Sequence, residues 1–219
     1  MTKYLVLFCF YSLGLSSFAS EYKGCSDIRY KEYVDNRLAF YTELEKQRYV
    51  EQQEKIANRP LLELSYFEKR RYFNESIILN AQFGSPDWAI ESINAYKELR
   101  FPGWPMGETG DRKHQIYIAK GWLSLREGKE QEAIRYLLEA ANTKASPILA
   151  SFGPDKSLIR QLYRQGHSAA VLEYLDRVEI FWNTEHALEY LSLWRKMIEH
   201  DCPIQFQFYD KTSTAGFGF

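Results

Sequence analysis

Cysteine and histidine are scarce in this chain. Three cysteines and four histidines are spread over 219 residues, which leaves little for metal or thiol chemistry. A zinc site gathers its Cys and His ligands at short, recognisable spacings. The one His–Cys neighbourhood, His200-Asp201-Cys202, has no such partners. An excess of charge is lacking too. With 28 basic and 29 acidic residues the net charge is −1, which gives no long-range attraction to nucleic acid or anionic lipid. The glycines of residues 99–111 do not form a phosphate loop, because no G-K-[ST] ending follows them. No G-x-S-x-G and no H-E-x-x-H appears either. Neither cofactor nor metal is expected, and no nucleic-acid partner.

Long apolar runs are confined to the start. Lys3 precedes "LVLFCFYSLGL" from Leu5 to Leu15, and Ser17 and Ala19 follow at cleavage spacing. Residues 1–19 therefore read as a secretory signal peptide cut after Ala19. The run is short for a bilayer span, so no stable membrane span is expected once it is removed. The location expected is periplasmic or secreted. Cys9 leaves with the signal, and Cys25 and Cys202 remain as a disulfide candidate in an oxidising compartment.

Apolar and aromatic residues are plentiful: 45% of the chain is hydrophobic and 16% aromatic. That composition builds a core and does not describe a disordered chain. Apolar residues recur at helical spacing, and the fold class expected is all-α. One long N-terminal helix, unbroken or broken near Glu45, runs from Ser26 to Asn58, and Pro60 ends it. A helical-repeat domain spans 20–203. A tail over 204–219 follows, in which Ile204, Phe206 and Phe208 alternate with polar residues in the manner of a strand. The longest stretch without periodicity, residues 99–111, holds Phe101 and Trp104. These are candidates for partner contact if exposed, and plug the loop onto the core if not.

The clearest internal pattern lies around Gly128. Tyr117 opens it, Gly121 allows a neighbouring helix close, Gly128 makes the turn, and Ala133 and Ala140 are small residues between packed helices. The pattern resembles a tetratricopeptide repeat (TPR). Looser copies run through Gly84, Ala89 and Tyr96 and through Gly166, Val171 and Val178, with Ile77 and Ile159 in place of the first glycine. The resemblance implies a TPR-like solenoid of antiparallel helix pairs. Further on, "EAIRYLLEA", "SPILASFGPD", "LIRQLYRQG" and "VLEYLDRVEIFW" follow in order. This stretch, within 128–182, resembles a group of bacterial proteins with an S-P-x-L-x-S-F-G-P linker. It implies a bacterial origin and carries no activity with it. Pro147, Phe152, Gly153 and Pro154 are expected to form the joint between two helix pairs, with Leu149 and Phe152 packed inside it.

The function expected from these features is binding of a protein or peptide partner in the cell envelope. The alternatives are a small envelope enzyme that cleaves cell wall or polysaccharide, needing one glutamate in an aromatic cleft, and an immunity-type inhibitor of a secreted enzyme. No catalytic residue stands out.

Overall fold

The computed structural model describes residues 22–100 and 109–219. The expected signal peptide and the loop residues Phe101 and Trp104 lie outside the described residues. Within them the chain is all-helical, with no strand.

Helix α1 (Ile28–Asn58) is a single unbroken helix, about 46 Å long at 1.5 Å per residue. Asp27 caps it by accepting the Arg29 N–H. A 3-10 turn at Leu61–Glu63 leads into α2 (Tyr66–Phe83), which opens on a capping box made by Ser65 and Glu68. Then come α3 (Pro86–Glu98), α4 (Gly110–Arg126), α5 (Glu130–Ala141), the short α6 (Pro147–Phe152), α7 (Ser157–Arg164), α8 (Ser168–Glu179), α9 (Glu185–Glu199) and α10 (Tyr209–Ser213).

Neighbours in sequence pack as pairs: α2 with α3, α4 with α5, α7 with α8, and α8 with α9. Between pairs, α2 rests on α4 and α5 rests on α8. Arginines of later helices close the carbonyl ends of earlier ones. Arg126 donates to the Ala81 and Gly84 carbonyls at 2.7 and 2.9 Å, and Arg112 to that of Leu99 at 2.8 Å. Cations at helix C-termini satisfy orphan carbonyls and offset the helix dipole.

Two clusters make up the core. Tyr72, Phe73, Ile77, Ile93 and Tyr96 form one between α2, α3 and α4. The larger joins Tyr30, Val34 and Leu38 of α1 to α4, α5, α7, α8, α9 and the C-terminal segment. Each large apolar side chain fully buried in them contributes about 1.5–3 kcal/mol. Helix α1 thus serves as a strap. Its first half lies on the C-terminal segment and α7, where the Tyr30 hydroxyl donates to the Pro203 carbonyl at 3.0 Å. Its second half lies on α2, where Gln52 donates to Glu75 and Gln53 to Asn80.

The tail is not a strand. Ile204, Gln205 and Phe206 are all buried, so the alternation of residue types is not an alternation of faces. The segment has no regular secondary structure, and Phe206 takes a positive φ of 54°. The chain then turns into α10. The Asp210 carboxylate organises this turn by accepting the N–H groups of Gln205 and Gln207 and the indole N–H of Trp194, all within 3.0–3.1 Å. A strand has no sheet edge to join here, whereas one buried carboxylate satisfies both backbone donors.

Candidate functional site

The joint between α5 and α7 collects the polar side chains that sequence spacing could not bring together. Pro147 starts a helix of its own inside this joint: α5 ends at Ala141, and Ser146 caps α6 by accepting the Leu149 N–H. Leu149 is buried, but Phe152 is 76% exposed, so the expected packing of Phe152 inside the joint is wrong. Gly153 explains it. With φ 77° the chain reverses there, and a Cβ on Gly153 would lie 2.6 Å from the Trp182 ring. The backbone itself packs on Trp182, and the ring of Phe152 is left outside. Pro154 is buried. Neither it nor Asp155 opens α7, which begins at Ser157.

Asp155 accepts both the N–H and the hydroxyl of Ser157, at 2.8 and 2.6 Å. Its own N–H donates to Nε2 of His114 at 3.0 Å, and Nδ1 of His114 bonds the Ala140 carbonyl at 2.9 Å. That pattern assigns a neutral imidazole with its proton on Nδ1. Burial holds its pKa below the ordinary value. Serine, histidine and aspartate therefore meet, yet not as a nucleophilic triad. The Ser157 hydroxyl donates to Asp155, and both nitrogens of His114 are committed to backbone groups, so no base faces the hydroxyl. Lys156 lies over the Trp182 ring at 5.1 Å, and burial lowers its pKa to about 8.

A second polar group adjoins the first. Arg160 of α7 meets Glu45 of α1 at 2.8 Å, with both side chains mostly buried. Burial raises the Glu45 pKa, and the Arg160 charge opposes that rise. The Trp122 indole donates to the Ser157 hydroxyl at 2.9 Å. With its amide oriented to suit its neighbours, Gln82 donates to Glu45 at 3.3 Å and accepts from Trp122 at 3.1 Å. Four helices, α1, α2, α4 and α7, are thus wired through one network. The cleft beside it, lined by Tyr41, Glu45, Trp122 and Arg160, has a volume of about 40 Å³. That space suits a water or two and not a sugar ring.

A third feature lies on the surface. The Arg37 guanidinium stands over the rings of Tyr209, Tyr41 and Phe40, at 4.7, 4.9 and 5.5 Å. Phe40, Tyr209 and the adjacent Phe208 are each more than half exposed. Tyr41 donates to Gln205, which fixes the tail against α1. Two ends of the chain build this surface, and the cysteines hold those ends together. Cys25 and Cys202 are at bonding distance, with Cα atoms 4.8 Å apart.

Gly121 is buried, and a Cβ there would meet Leu158 at 2.4 Å. Gly128 turns between α4 and α5 with φ 74°. Ala133 and Ala140 are fully buried. Sequence reasoning missed Glu45, Arg160, His114, Lys156 and Asp210. The first four owe their roles to partners far along the chain, and Asp210 joins a nearby backbone turn to the more distant Trp194. No family model, no curated protein and no solved structure matches this chain.

Proposed function

We propose that the protein is an exported, TPR-like solenoid that binds a protein or peptide partner in the cell envelope. The stacking of α2 on α4 and of α5 on α8 supports the solenoid reading. So do the left-handed glycines that turn two of the pairs, Gly128 between α4 and α5 and Gly166 between α7 and α8. Export is supported by the short apolar run at the N-terminus and by a cysteine pair at bonding distance. The face that α2, α4 and α7 share is occupied by α1 through the Glu45–Arg160 network, so the partner is assigned to the outer surface.

The observation that carries this reading is the Arg37 stack with the exposed rings of Phe40 and Tyr209, beside which Phe208 is also exposed. Exposed aromatics and arginine held in a fixed arrangement are the residue types that anchor protein interfaces. The enzyme reading would have to rest on Glu45, a desolvated carboxylate near Tyr41 and Trp122. Arg160 occupies that carboxylate, and the cleft is too small for a polysaccharide.

Affinity capture from an envelope extract tests the proposal, with wild type compared to a Phe40→Ala/Tyr209→Ala double variant. A partner recovered by wild type and lost with the variant is the expected result. Equal recovery by both would move the binding surface elsewhere. Recovery of no partner, together with digestion of a cell-wall extract by the purified protein, would overturn the binding reading. A single secreted enzyme as the recovered partner would narrow it to the immunity-type inhibitor.

A further inference from the structure

Arginines packed between the helices of this fold find a carboxylate or a carbonyl. Arg160 pairs with Glu45, Arg195 pairs with Asp176 and Glu179, and Arg126 closes the end of α2. Arg37 finds neither among the described residues. Its guanidinium is held by the rings of Phe40, Tyr41 and Tyr209, and the polar groups acting on it are tyrosine hydroxyls. Asp210, next to Tyr209 in the sequence, is no counter-ion for it. Both oxygens of that carboxylate are occupied by the N–H groups of Gln205, Gln207 and Trp194.

Two observations say what this surface lacks. First, the guanidinium keeps an open donor. Nη2 donates to the Tyr41 hydroxyl at 2.8 Å and Nε is closed off by packing, whereas Nη1 bonds nothing among the described residues and stays open to solvent. Second, the charge is set in an apolar frame. Arg37, Phe40 and Tyr41 share one face of α1 at three- and four-residue spacing, and Phe40 and Tyr209 are 55% and 54% exposed. A partner that covers these rings also takes water from the guanidinium. Arginine cannot shed its charge, and a cation desolvated without a counter-charge costs several kcal/mol. A partner that buries the rings must therefore bring an anion to Nη1. The rings already fix the guanidinium, so little side-chain freedom is lost when it pairs.

We propose that this surface recognises an acidic–hydrophobic segment of its protein partner. One aspartate or glutamate accepts from Nη1 of Arg37, and an adjacent aromatic or aliphatic side chain packs on Phe40 and Tyr209. The stack holds one cation, which matches the single charge of a carboxylate. The inference rests on the partner-binding reading above and adds to it the chemistry of the partner. It also predicts a selection that the whole molecule does not make, because a net charge of −1 gives no general attraction for acidic peptides.

Panning a random peptide-display library on the full chain tests it, with Arg37→Met and Phe40→Ala/Tyr209→Ala panned in parallel. Peptides enriched on wild type should carry an aspartate or glutamate beside an aromatic or aliphatic residue. Enrichment should vanish on the double variant, and the acidic position should become unselective on Arg37→Met. The best peptide is then synthesised with its carboxylate intact and as the amide. The amide should bind wild type about tenfold more weakly and bind Arg37→Met within about twofold of the acid. Thermal unfolding establishes that each variant is folded, and the acid–amide comparison on wild type needs no variant at all. Enriched peptides that depend on Phe40 and Tyr209 but carry no acidic residue, or an amide that binds wild type as well as the acid does, would overturn this inference and leave the partner-binding reading standing. Peptides enriched equally on wild type and on the double variant would overturn both at this surface.

Discussion

Arg160 and Glu45 meet at 2.8 Å although 115 residues separate them in the chain. The pair fastens the middle of α1 to α7, and both partners are mostly withdrawn from water. Removing one partner of such a pair strands the other's charge, whereas removing both avoids that cost. Arg160→Ala is expected to lower the unfolding free energy by about 3 kcal/mol. A double variant, Glu45→Gln/Arg160→Met, should lose much less than the sum of its single changes. Urea unfolding of the four proteins in a double-mutant cycle measures the coupling, and strict additivity would show that the pair does not clamp α1.

Two buried groups give the fold opposing pH responses. Burial raises Asp210 to about 6 from an ordinary 3.8, against the pull of the N–H donors around it. The folded chain holds that proton more tightly than the unfolded chain does. The contribution is therefore full below 3.8 and is lost as pH rises through 6. His114 does the reverse. Burial holds its pKa below 6.5, so its contribution is full above 6.5 and is lost on acidification, when a second N–H would confront that of Asp155. The stability difference between wild type and Asp210→Asn should shrink between pH 4 and 6. The difference between wild type and His114→Gln should grow as pH rises towards 6.5. Unfolding curves at half-unit pH steps read both slopes, and parallel curves for a variant and wild type would remove that group from the account.

The cysteine pair closes a loop of 177 residues. In the chain-entropy picture a loop of that length contributes roughly 5 kcal/mol by limiting the unfolded ensemble. Reduction should lower the denaturant midpoint strongly. Mass spectrometry of the exported protein without reductant should show two hydrogens fewer than the dithiol. Recovery of free thiols at both positions would refute the bridge.

Gly153 and Gly121 are small for different reasons, and substitution separates them. At Gly153 an added Cβ meets Trp182 and must also adopt φ 77°. Gly153→Ala should therefore cost the more, with strain added to overpacking. At Gly121 the helix would gain from alanine's propensity, by about 1 kcal/mol, and the close approach of Leu158 opposes that gain. Thermal melts that rank Gly121→Ala as the more damaging would reverse this reading.

Sequence alone yielded what is local. Helical periodicity, the turn glycine at Gly128 and the small residues at Ala133 and Ala140 all report on neighbours a few positions away. The cysteine pairing was legible because few cysteines leave few choices. Phe152 misled because an apolar residue near a joint was read as buried, when the reversal at Gly153 brings the backbone to Trp182 instead. Ile204, Phe206 and Phe208 misled because alternation was read as a strand, when the Asp210 carboxylate gathers the backbone N–H groups that a sheet would have used. The Glu45 network was not legible at all. Its members lie on four helices, and each looks like an ordinary surface residue until the fold assembles them.

The bridge between Cys25 and Cys202 also decides how the molecule answers a mechanical load. A pull on its two ends passes from one end to the other through the sulfur bond and bypasses the helices between the cysteines. Only the segments outside the bridge lie in series with such a force, and the longer described one is that after Cys202. Its attachment is the Asp210 turn, the Tyr41–Gln205 contact and the packing of Phe206. Under tension the tail would peel from α1 and take the Tyr209 ring off Arg37, while the stacked helix pairs stayed intact inside their closed ring.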